Sequence, residues 1–208
     1  MILKADEIAR LLETSRDLDD PLVITPKPDL QKLRESGSAS VDLRLGSWFI
    51  KLHHARVPVL DVYDEELNIP SESKLTTTHY VPFGESYFLH PKAFVLGITL
   101  EWIRLPKKLA GYVVGRSSWG RHGLIIATAT GVHPGFTGCL TLELTNVGEI
   151  PITIKPGTTI CQLFLHDLKT NLPDNLDMST FIGRRKPILG IIKLDEFARR
   201  LSKNRNAD

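Results

Sequence analysis

The chain has 208 residues, of which 42% are hydrophobic and 24% are charged, and its formal net charge is +2 at pH 7. This composition excludes a broadly disordered protein and predicts one main domain with a substantial hydrophobic core. Because the net charge is close to zero, it gives no argument for nucleic acid or an anionic membrane as a partner, and any anion site must be local.

The chain opens with a predicted amphipathic helix. Between Lys4 and Glu13, the residues Ile8, Leu11 and Leu12 recur at helical spacing among charged residues. The N-terminus lacks a basic region followed by an apolar core, and no later stretch approaches the ~20 apolar residues of a membrane span. We therefore expect a helix that packs on the domain, no membrane contact and a cytoplasmic location.

From Pro21 onward the pattern becomes that of β structure. Prolines and a Ser-Gly-Ser turn interrupt any long helix, and residues 40–46 alternate as a strand does. Between Trp48 and Leu168, short runs of Val, Ile, Leu and Thr are separated by turn residues at spacings of about ten residues. This spacing favours an all-β sandwich or barrel over alternating βαβ units.

The pattern changes again after Leu168. We divide the chain into a β domain with the N-terminal helix, residues 1–168, and a C-terminal tail, residues 169–208, made of a loop and a short helix. The tail carries the basic run Arg184-Arg185-Lys186. That run is either an ordinary solvated surface or an arm that adds positive charge to a phosphate site.

Residues 115–124, GRSSWGRHGL, form the stretch with the most chemical content. Arg116 and Arg121 supply guanidinium groups, Ser117 and Ser118 supply hydroxyls, and the glycines leave backbone N–H groups accessible. Phosphate oxygens are held by these three kinds of donor. The stretch is neither a Walker A loop nor a dinucleotide-binding turn. Spacing alone leaves open a phosphate site and a surface turn with two unrelated arginines.

One carboxylate interrupts an apolar strand pattern further along. Glu143 stands between Leu142 and Leu144, so strand alternation places it on the opposite face, together with Thr141 and Thr145. If that face meets solvent, Glu143 is an ordinary surface carboxylate. If it lines a cleft, the carboxylate is desolvated and suited to proton transfer.

These motifs, in this order, resemble the dCTP deaminase family, whose members are relatives of the trimeric dUTPases. The resemblance covers more than half of the chain. Its matching segments are SVDLRLG (40–46), FLHP (88–91), LEWIRLP (100–106), GRSSWGRHGL (115–124), PGFTG (134–138), LEL (142–144), PG (156–157) and ICQL (160–163).

The resemblance implies a mainly β, distorted jelly-roll or barrel-like fold of the dUTPase type. It also implies a homotrimer with active sites between subunits, a dCTP substrate, and Mg²⁺ bound through the substrate triphosphate. The products would be dUTP and ammonia, which makes the chain a hydrolase that acts on a cyclic amidine.

The same resemblance implies roles for individual residues. Arg116, Ser117 and Ser118 would contact phosphates, and Arg121 would help to organise the phosphates and the catalytic groups. Glu143 would be the general base, taking a proton from a water that attacks C4 of cytosine and later helping to protonate the leaving ammonia. Ser117 would lie near that water.

The resemblance also implies that further residues bind the substrate. The hairpin of residues 127–131, including Ala129 and Thr130, would offer backbone groups to the base, and Gln162 belongs to the same set. The chemistry at the base would need no metal. The His-x-Glu and Pro-Cys-x-x-Cys patterns of the zinc deaminases are absent, the histidines are dispersed, and Cys139 and Cys161 lie in apolar runs typical of inert thiols.

Two departures from the family pattern keep other hypotheses open. His133 stands where a dUTPase-like aspartate would orient the hydrolytic water, and an imidazole supplies no fixed negative charge. The tail lacks the family's Tyr- and Gln-containing closing motif, for which Arg184-Arg185-Lys186 would have to substitute by charge. The alternatives to dCTP deaminase are a dUTP or other nucleoside triphosphate diphosphatase, and a catalytically inactive nucleotide-binding regulatory trimer.

Overall fold

The computed structural model describes residues 1–14, 19–52, 76–127, 131–169, 182–190, 195–197 and 200. The chain divides into two compact units. The larger unit contains residues 1–51 and 78–188, and the smaller contains residues 52–77 and 189–208. The structure described below belongs to the larger unit, apart from the strand ends at residues 52 and 76–77 and the helical residues 196, 197 and 200.

Three helices are described in the larger unit. They are α1 (Ala5–Glu13), α2 (Leu30–Glu35) and the short α3 (Ser117–Gly120). The predicted N-terminal helix is confirmed, and it buries Ile8, Ala9 and Leu12 on one face. Asp29 begins α2 as its N-cap, where its carboxylate accepts hydrogen bonds from the backbone N–H groups of Gln31 and Lys32.

Strands dominate the described residues. They are β1 (Val23–Thr25), β2 (Ser40–Arg44), β3 (Trp48–Leu52), β4 (Thr76–Tyr80), β5 (Tyr87–Leu89), β6 (Phe94–Ile98), β7 (Trp102–Arg104), β8 (Leu109–Gly115), β9 (Leu124–Ile126), β10 (Gly131–Val132), β11 (Thr137–Gly138), β12 (Thr141–Asn146), β13 (Ile152–Ile154) and β14 (Thr159–Asp167). The prediction of a mainly β fold with a short N-terminal helix is confirmed.

These strands form four sheets, and the order of the strands within the two larger sheets differs from their order along the chain. The two larger ones run β10-β8-β14-β2 and β4-β3-β6-β12-β9, and the smaller ones run β1-β7-β11 and β13-β5. Strand pairing is antiparallel wherever a register is described. The long strand β14 lies between β8 and β2, and so brings two distant parts of the sequence together.

A single hydrophobic cluster joins the two larger sheets. Alternation along β12 buries Leu142 and Leu144 completely, and β14 contributes Leu163 and Leu165 in the same way. Because alternate residues of a strand point to opposite faces, burial of these leucines fixes where the remaining side chains of both strands point. Glu143 and Gln162 therefore lie on the faces turned away from this core.

The C-terminal helix of the predicted tail falls mostly outside the described residues. Glu196 and Phe197 are helical, and the Arg200 guanidinium donates a hydrogen bond of 2.6 Å to the Glu196 carboxylate. Within the described part of the chain, no helix is both long and apolar enough to cross a membrane.

Candidate active site

The Arg/Ser turn, residues 116–121, follows directly from strand β8. Arg116 has extended backbone angles and begins α3. Two hydrogen bonds hold the turn against β14: the Arg116 N–H donates to the Ile160 carbonyl at 3.1 Å, and the Trp119 indole donates to the Thr159 carbonyl at 2.9 Å. The position of the predicted phosphate donors is thus set by two strands of the four-stranded sheet.

Several donors of the turn remain free for a ligand. Ser117, Ser118 and Arg121 are exposed, and among the described residues their side chains have no hydrogen-bond or ion-pair partner. Gly123, two residues after the turn, has φ +88°, and a Cβ there would lie 3.0 Å from the backbone nitrogen of Gly148. Glycine is therefore required at this position, both for its backbone conformation and for its close approach.

Asp42 is a residue of this site that the motifs did not single out. Its Oδ2 accepts a hydrogen bond from Nη1 of Arg116 at 2.6 Å, and its Oδ1 accepts one from Nε2 of Gln162 at 3.1 Å. Gln162 faces Asp42 directly across β14 and β2. Two side chains predicted to bind substrate thus meet at one carboxylate. The signal available in the sequence was the alternation of residues 40–46, which places Asp42 on the face opposite Val41 and Leu43.

Glu143 lies in the middle of β12 and is half-buried. Leu96 of β6 faces it directly, and Ile50 of β3 faces Leu96, so the three side chains form one row on the same face of the sheet. Leu96 and Ile50 are only 6% and 3% exposed. The face therefore differs from an ordinary solvated surface. Among the described residues, the Glu143 carboxylate has no hydrogen-bond or ion-pair partner.

The predicted base-binding hairpin begins beside Glu143. The Ala127 N–H donates a hydrogen bond of 2.9 Å to the Glu143 carbonyl, which continues the pairing of β9 with β12. Ala129 and Thr130 lie outside the described residues. His133 follows β10 and is exposed, with its carbonyl accepting a hydrogen bond from the Phe136 N–H at 3.2 Å.

Within one chain, the described parts of the predicted site belong to two different sheets. Gln162 belongs to the four-stranded sheet and Arg116 directly follows its strand β8, whereas Glu143 belongs to the five-stranded sheet. No hydrogen bond or ion pair between described residues links the Glu143 carboxylate to the Arg/Ser turn.

Two cations of the basic run in the tail contact tryptophan rings of the same chain. The Arg185 guanidinium lies 4.6 Å from the centroid of the Trp102 ring, and the Lys186 ammonium lies 3.9 Å from that of Trp48. Both are cation–π contacts. Trp48 lies two residues before Ile50 on β3, so the run borders the face that carries Glu143. That these cations serve a phosphate site remains a prediction.

Neither cysteine has the lowered thiol pKa of a reactive cysteine, in agreement with the sequence prediction of inert thiols. Both are free thiols. Burial raises the pKa of Cys161 to about 12, with further increases from the negative charges of Glu101 and Asp42. Burial also raises the pKa of Cys139 to about 11, although the Arg185 charge opposes this shift. Among the described residues, no group of three or more His, Cys, Asp or Glu side chains is arranged to hold a metal ion.

A family model described as dCTP deaminase-like matches residues 2–168. Among curated proteins, the "dCTP deaminase, dUMP-forming" of Methanobrevibacter smithii is 37% identical over 179 residues, covering 84% of this chain and 89% of the relative. That of Dictyoglomus thermophilum is 40% identical and covers 82% of each chain. The "dCTP deaminase" of Haloarcula marismortui is 39% identical and also covers 82% of each.

Among solved structures, the 2'-deoxycytidine 5'-triphosphate deaminase of Agrobacterium tumefaciens aligns with a TM-score of 0.57 at 20% identity. The alignment covers 79% of this chain and 46% of that chain, so it spans less than half of the solved protein. At this identity the likeness shows the fold alone, and it confirms the predicted fold class.

Proposed function

The chain belongs to the dCTP deaminase-like family, and we propose that it is an enzyme that hydrolyses dCTP to dUTP and ammonia in pyrimidine deoxynucleotide metabolism. The observation that carries this proposal is the pair of features described above. Within the described part of the chain, the Arg/Ser turn has exposed side-chain donors without partners, and a carboxylate without a partner lies in a row of buried apolar side chains. Relatives that are 36–40% identical to this chain are named dCTP deaminases, and two of them are called dUMP-forming.

The turn binds the triphosphate. Arg116 offers a planar guanidinium, while Ser117 and Ser118 offer hydroxyl donors from the exposed start of α3, and these groups suit phosphate oxygens. Arg121, one turn further along, adds a second positive charge. Magnesium belongs to the substrate, since it is carried on the triphosphate oxygens and neutralises part of their charge.

Glu143 acts as the general base at the pyrimidine. Its carboxylate takes a proton from a water molecule near Ser117 while the water oxygen bonds to C4 of cytosine, and the proton passes to N3 of the ring. In the second step the C4–N bond breaks, a proton from the new C4 hydroxyl reaches the leaving amine through Glu143, and ammonia departs as the carbonyl forms. The balance is one dCTP and one water giving one dUTP and one ammonia. No metal at the base is required.

The site is assembled between subunits of a homotrimer. Among the described residues, the Glu143 carboxylate makes no hydrogen bond or ion pair with the Arg/Ser turn of its own chain, which is compatible with a site completed by a neighbouring subunit. Gln162 and the backbone of residues 127–131, including Ala129 and Thr130, then contribute to nucleotide binding. Mixed oligomers that contain both Arg116→Gln and Glu143→Gln subunits should regain part of the activity that each variant lacks alone, and no regain would refute a shared site.

A second candidate product is dUMP, formed if the same chain also releases pyrophosphate. The names of the relatives from M. smithii and D. thermophilum favour it, since both are called dUMP-forming. His133 opposes it, because a neutral imidazole is a weaker acceptor than the aspartate expected to orient the water for that reaction. We therefore place dUTP first.

The decisive test is chromatography of nucleotides after incubation of dCTP and Mg²⁺ with the protein. The proposal expects ammonia and dUTP, whereas dUMP with pyrophosphate would establish the second candidate. Glu143→Gln should keep nucleotide binding but lower kcat by about 10²- to 10⁴-fold, as expected for loss of a general base. Glu149→Gln, a change of an exposed carboxylate beyond the same strand, is the matched control and should leave kcat within about twofold.

Two outcomes would contradict the proposal. Full turnover by Glu143→Gln would remove this residue from the chemistry. Binding of dCTP without ammonia release by the unaltered protein would instead support the nucleotide-binding regulatory trimer.

A further inference from the structure

We propose that Asp42 is a positioning residue that fixes the Arg116 guanidinium and the Gln162 amide for the substrate phosphates; this rests on the proposed function. The arrangement follows from strand register. Gln162 faces Asp42 across β14 and β2 and faces Val114 across β14 and β8, and Arg116 lies two residues beyond Val114. Since alternate residues share a face, the three polar side chains meet on the outward side of the four-stranded sheet.

The Asp42 carboxylate uses both of its oxygens. Oδ2 accepts from Nη1 of Arg116 at 2.6 Å and Oδ1 accepts from Nε2 of Gln162 at 3.1 Å. A guanidinium has five N–H donors and a carboxamide has two, so each group keeps donors for a ligand. The carboxylate therefore orients the two groups without consuming them.

The orientation of Arg116 and Gln162 matters because their long side chains are flexible when nothing restrains them. The side chains of Arg116 and Asp42 are 37% and 49% exposed, so packing alone does not fix them. An arginine that is already held in one geometry loses less rotamer freedom when a phosphate arrives, and preorganisation of this kind strengthens binding. The carboxylate thus acts on phosphate affinity through Arg116 and Gln162.

If the Asp42 charge acted only through electrostatics, its removal would change phosphate affinity in the opposite direction. A negative charge beside the phosphate site repels the substrate, so its removal would tighten binding if charge were the whole effect. If Asp42 acts by positioning, its removal loosens Arg116 and weakens binding. The sign of the change in affinity distinguishes these two roles.

The experiment compares Asp42→Asn with the unaltered protein. It measures Kd for dCTP with Mg²⁺, Kd for inorganic tripolyphosphate, and kcat and KM for dCTP. We expect Kd for both ligands and KM to rise about fivefold, within the range of an exposed ion pair with good geometry, while kcat stays within about twofold. Asp42→Asn should have a smaller effect in an Arg116→Gln background, because only the part of its influence that passes through Gln162 remains.

The matched control is Glu13→Gln. Glu13 pairs with Arg34 at exposures of 45% and 41%, so this change removes the same charge from an equally exposed ion pair outside the site. Both Kd values and KM should then stay unchanged. An equal rise in this variant would show a general charge effect and overturn the proposal.

The other outcomes are equally decisive. Tighter tripolyphosphate binding by Asp42→Asn, or additive effects with Arg116→Gln, would refute positioning. If the unaltered protein binds tripolyphosphate without deaminating dCTP, the proposed function fails while the Kd comparison still decides the role of Asp42. Binding of neither ligand would refute both proposals.

Discussion

The buried carboxylate of Glu101 should be essential to the stability of this fold, and Glu101→Gln tests it. The Glu101 side chain is 3% exposed. Its Oε1 accepts from Nε of Arg44 at 2.6 Å, and its Oε2 accepts from the Arg44 backbone N–H at 2.8 Å. Glutamine has the same shape but only one acceptor oxygen, so one of the two donors would face an NH₂ group.

The expected loss in the free energy of unfolding can be estimated from these contacts. A hydrogen bond to a charged group contributes about 1.5–3 kcal/mol, and a buried donor left unsatisfied costs about 1–3 kcal/mol. Arg44 is itself 37% exposed, so water recovers part of the loss at the guanidinium. We expect the free energy of unfolding to fall by about 2–4 kcal/mol, which for a chain of this size lowers Tm by about 4–16 °C.

Urea unfolding followed by tryptophan fluorescence measures this change. Glu7→Gln is the control, since Glu7 pairs with Arg10 at 3.8 Å in the exposed part of α1 and should matter by less than about 0.5 kcal/mol. If Glu101→Gln unfolds within about 0.5 kcal/mol of the unaltered protein, the reasoning about its two donors is refuted.

Two further predictions concern the backbone and the thiols. Gly138→Ala should lower the free energy of unfolding by about 1–2 kcal/mol, because Gly138 has φ +147° and a Cβ would lie 3.3 Å from backbone atoms of Arg184; Gly120→Ala, with open space around it, should not, and equal urea midpoints for the two variants would contradict this. The raised pKa values of Cys139 and Cys161, about 11 and about 12, mean that their contribution to stability is full below pH 9 and is lost as pH rises toward those values. Alkylation at pH 9 should therefore be at least about tenfold slower in the folded than in the urea-unfolded protein, and equal rates would contradict it.

Local patterns predicted the elements of this fold well. The spacing of Ile8, Leu11 and Leu12 predicted α1, and alternation around Glu143 predicted both its strand and the face opposite the buried leucines. Both signals depend only on neighbours a few residues apart. The order of the strands in each sheet depends on pairing between distant segments, which periodicity does not contain.

The same limit explains which polar residues were missed. Asp42 and Glu101 meet their partners only after β2, β14 and the segment before β7 come together. Both lie in segments of the family match, but the local sequence does not show which partners they bind. Asn146 shows a different limit, because Asn146-Val147-Gly148 is typical of a turn and its sequence does not reveal that the asparagine is buried. Its fully buried amide donates to the Leu89 and Ile150 carbonyls and accepts from the Gly148 N–H, so it fixes that turn from inside the protein.

The segment that follows the family-matched region has a consequence for anyone shortening this protein. The Gly183 N–H donates to the Thr137 carbonyl at 2.7 Å and the Cys139 N–H donates to the Arg184 carbonyl at 2.9 Å, so this segment caps the outer side of β11. Cutting the chain at residue 168 would expose an unpaired sheet edge, a surface prone to self-association. A truncation placed after residue 188 would keep the hydrogen bonds that cover that edge.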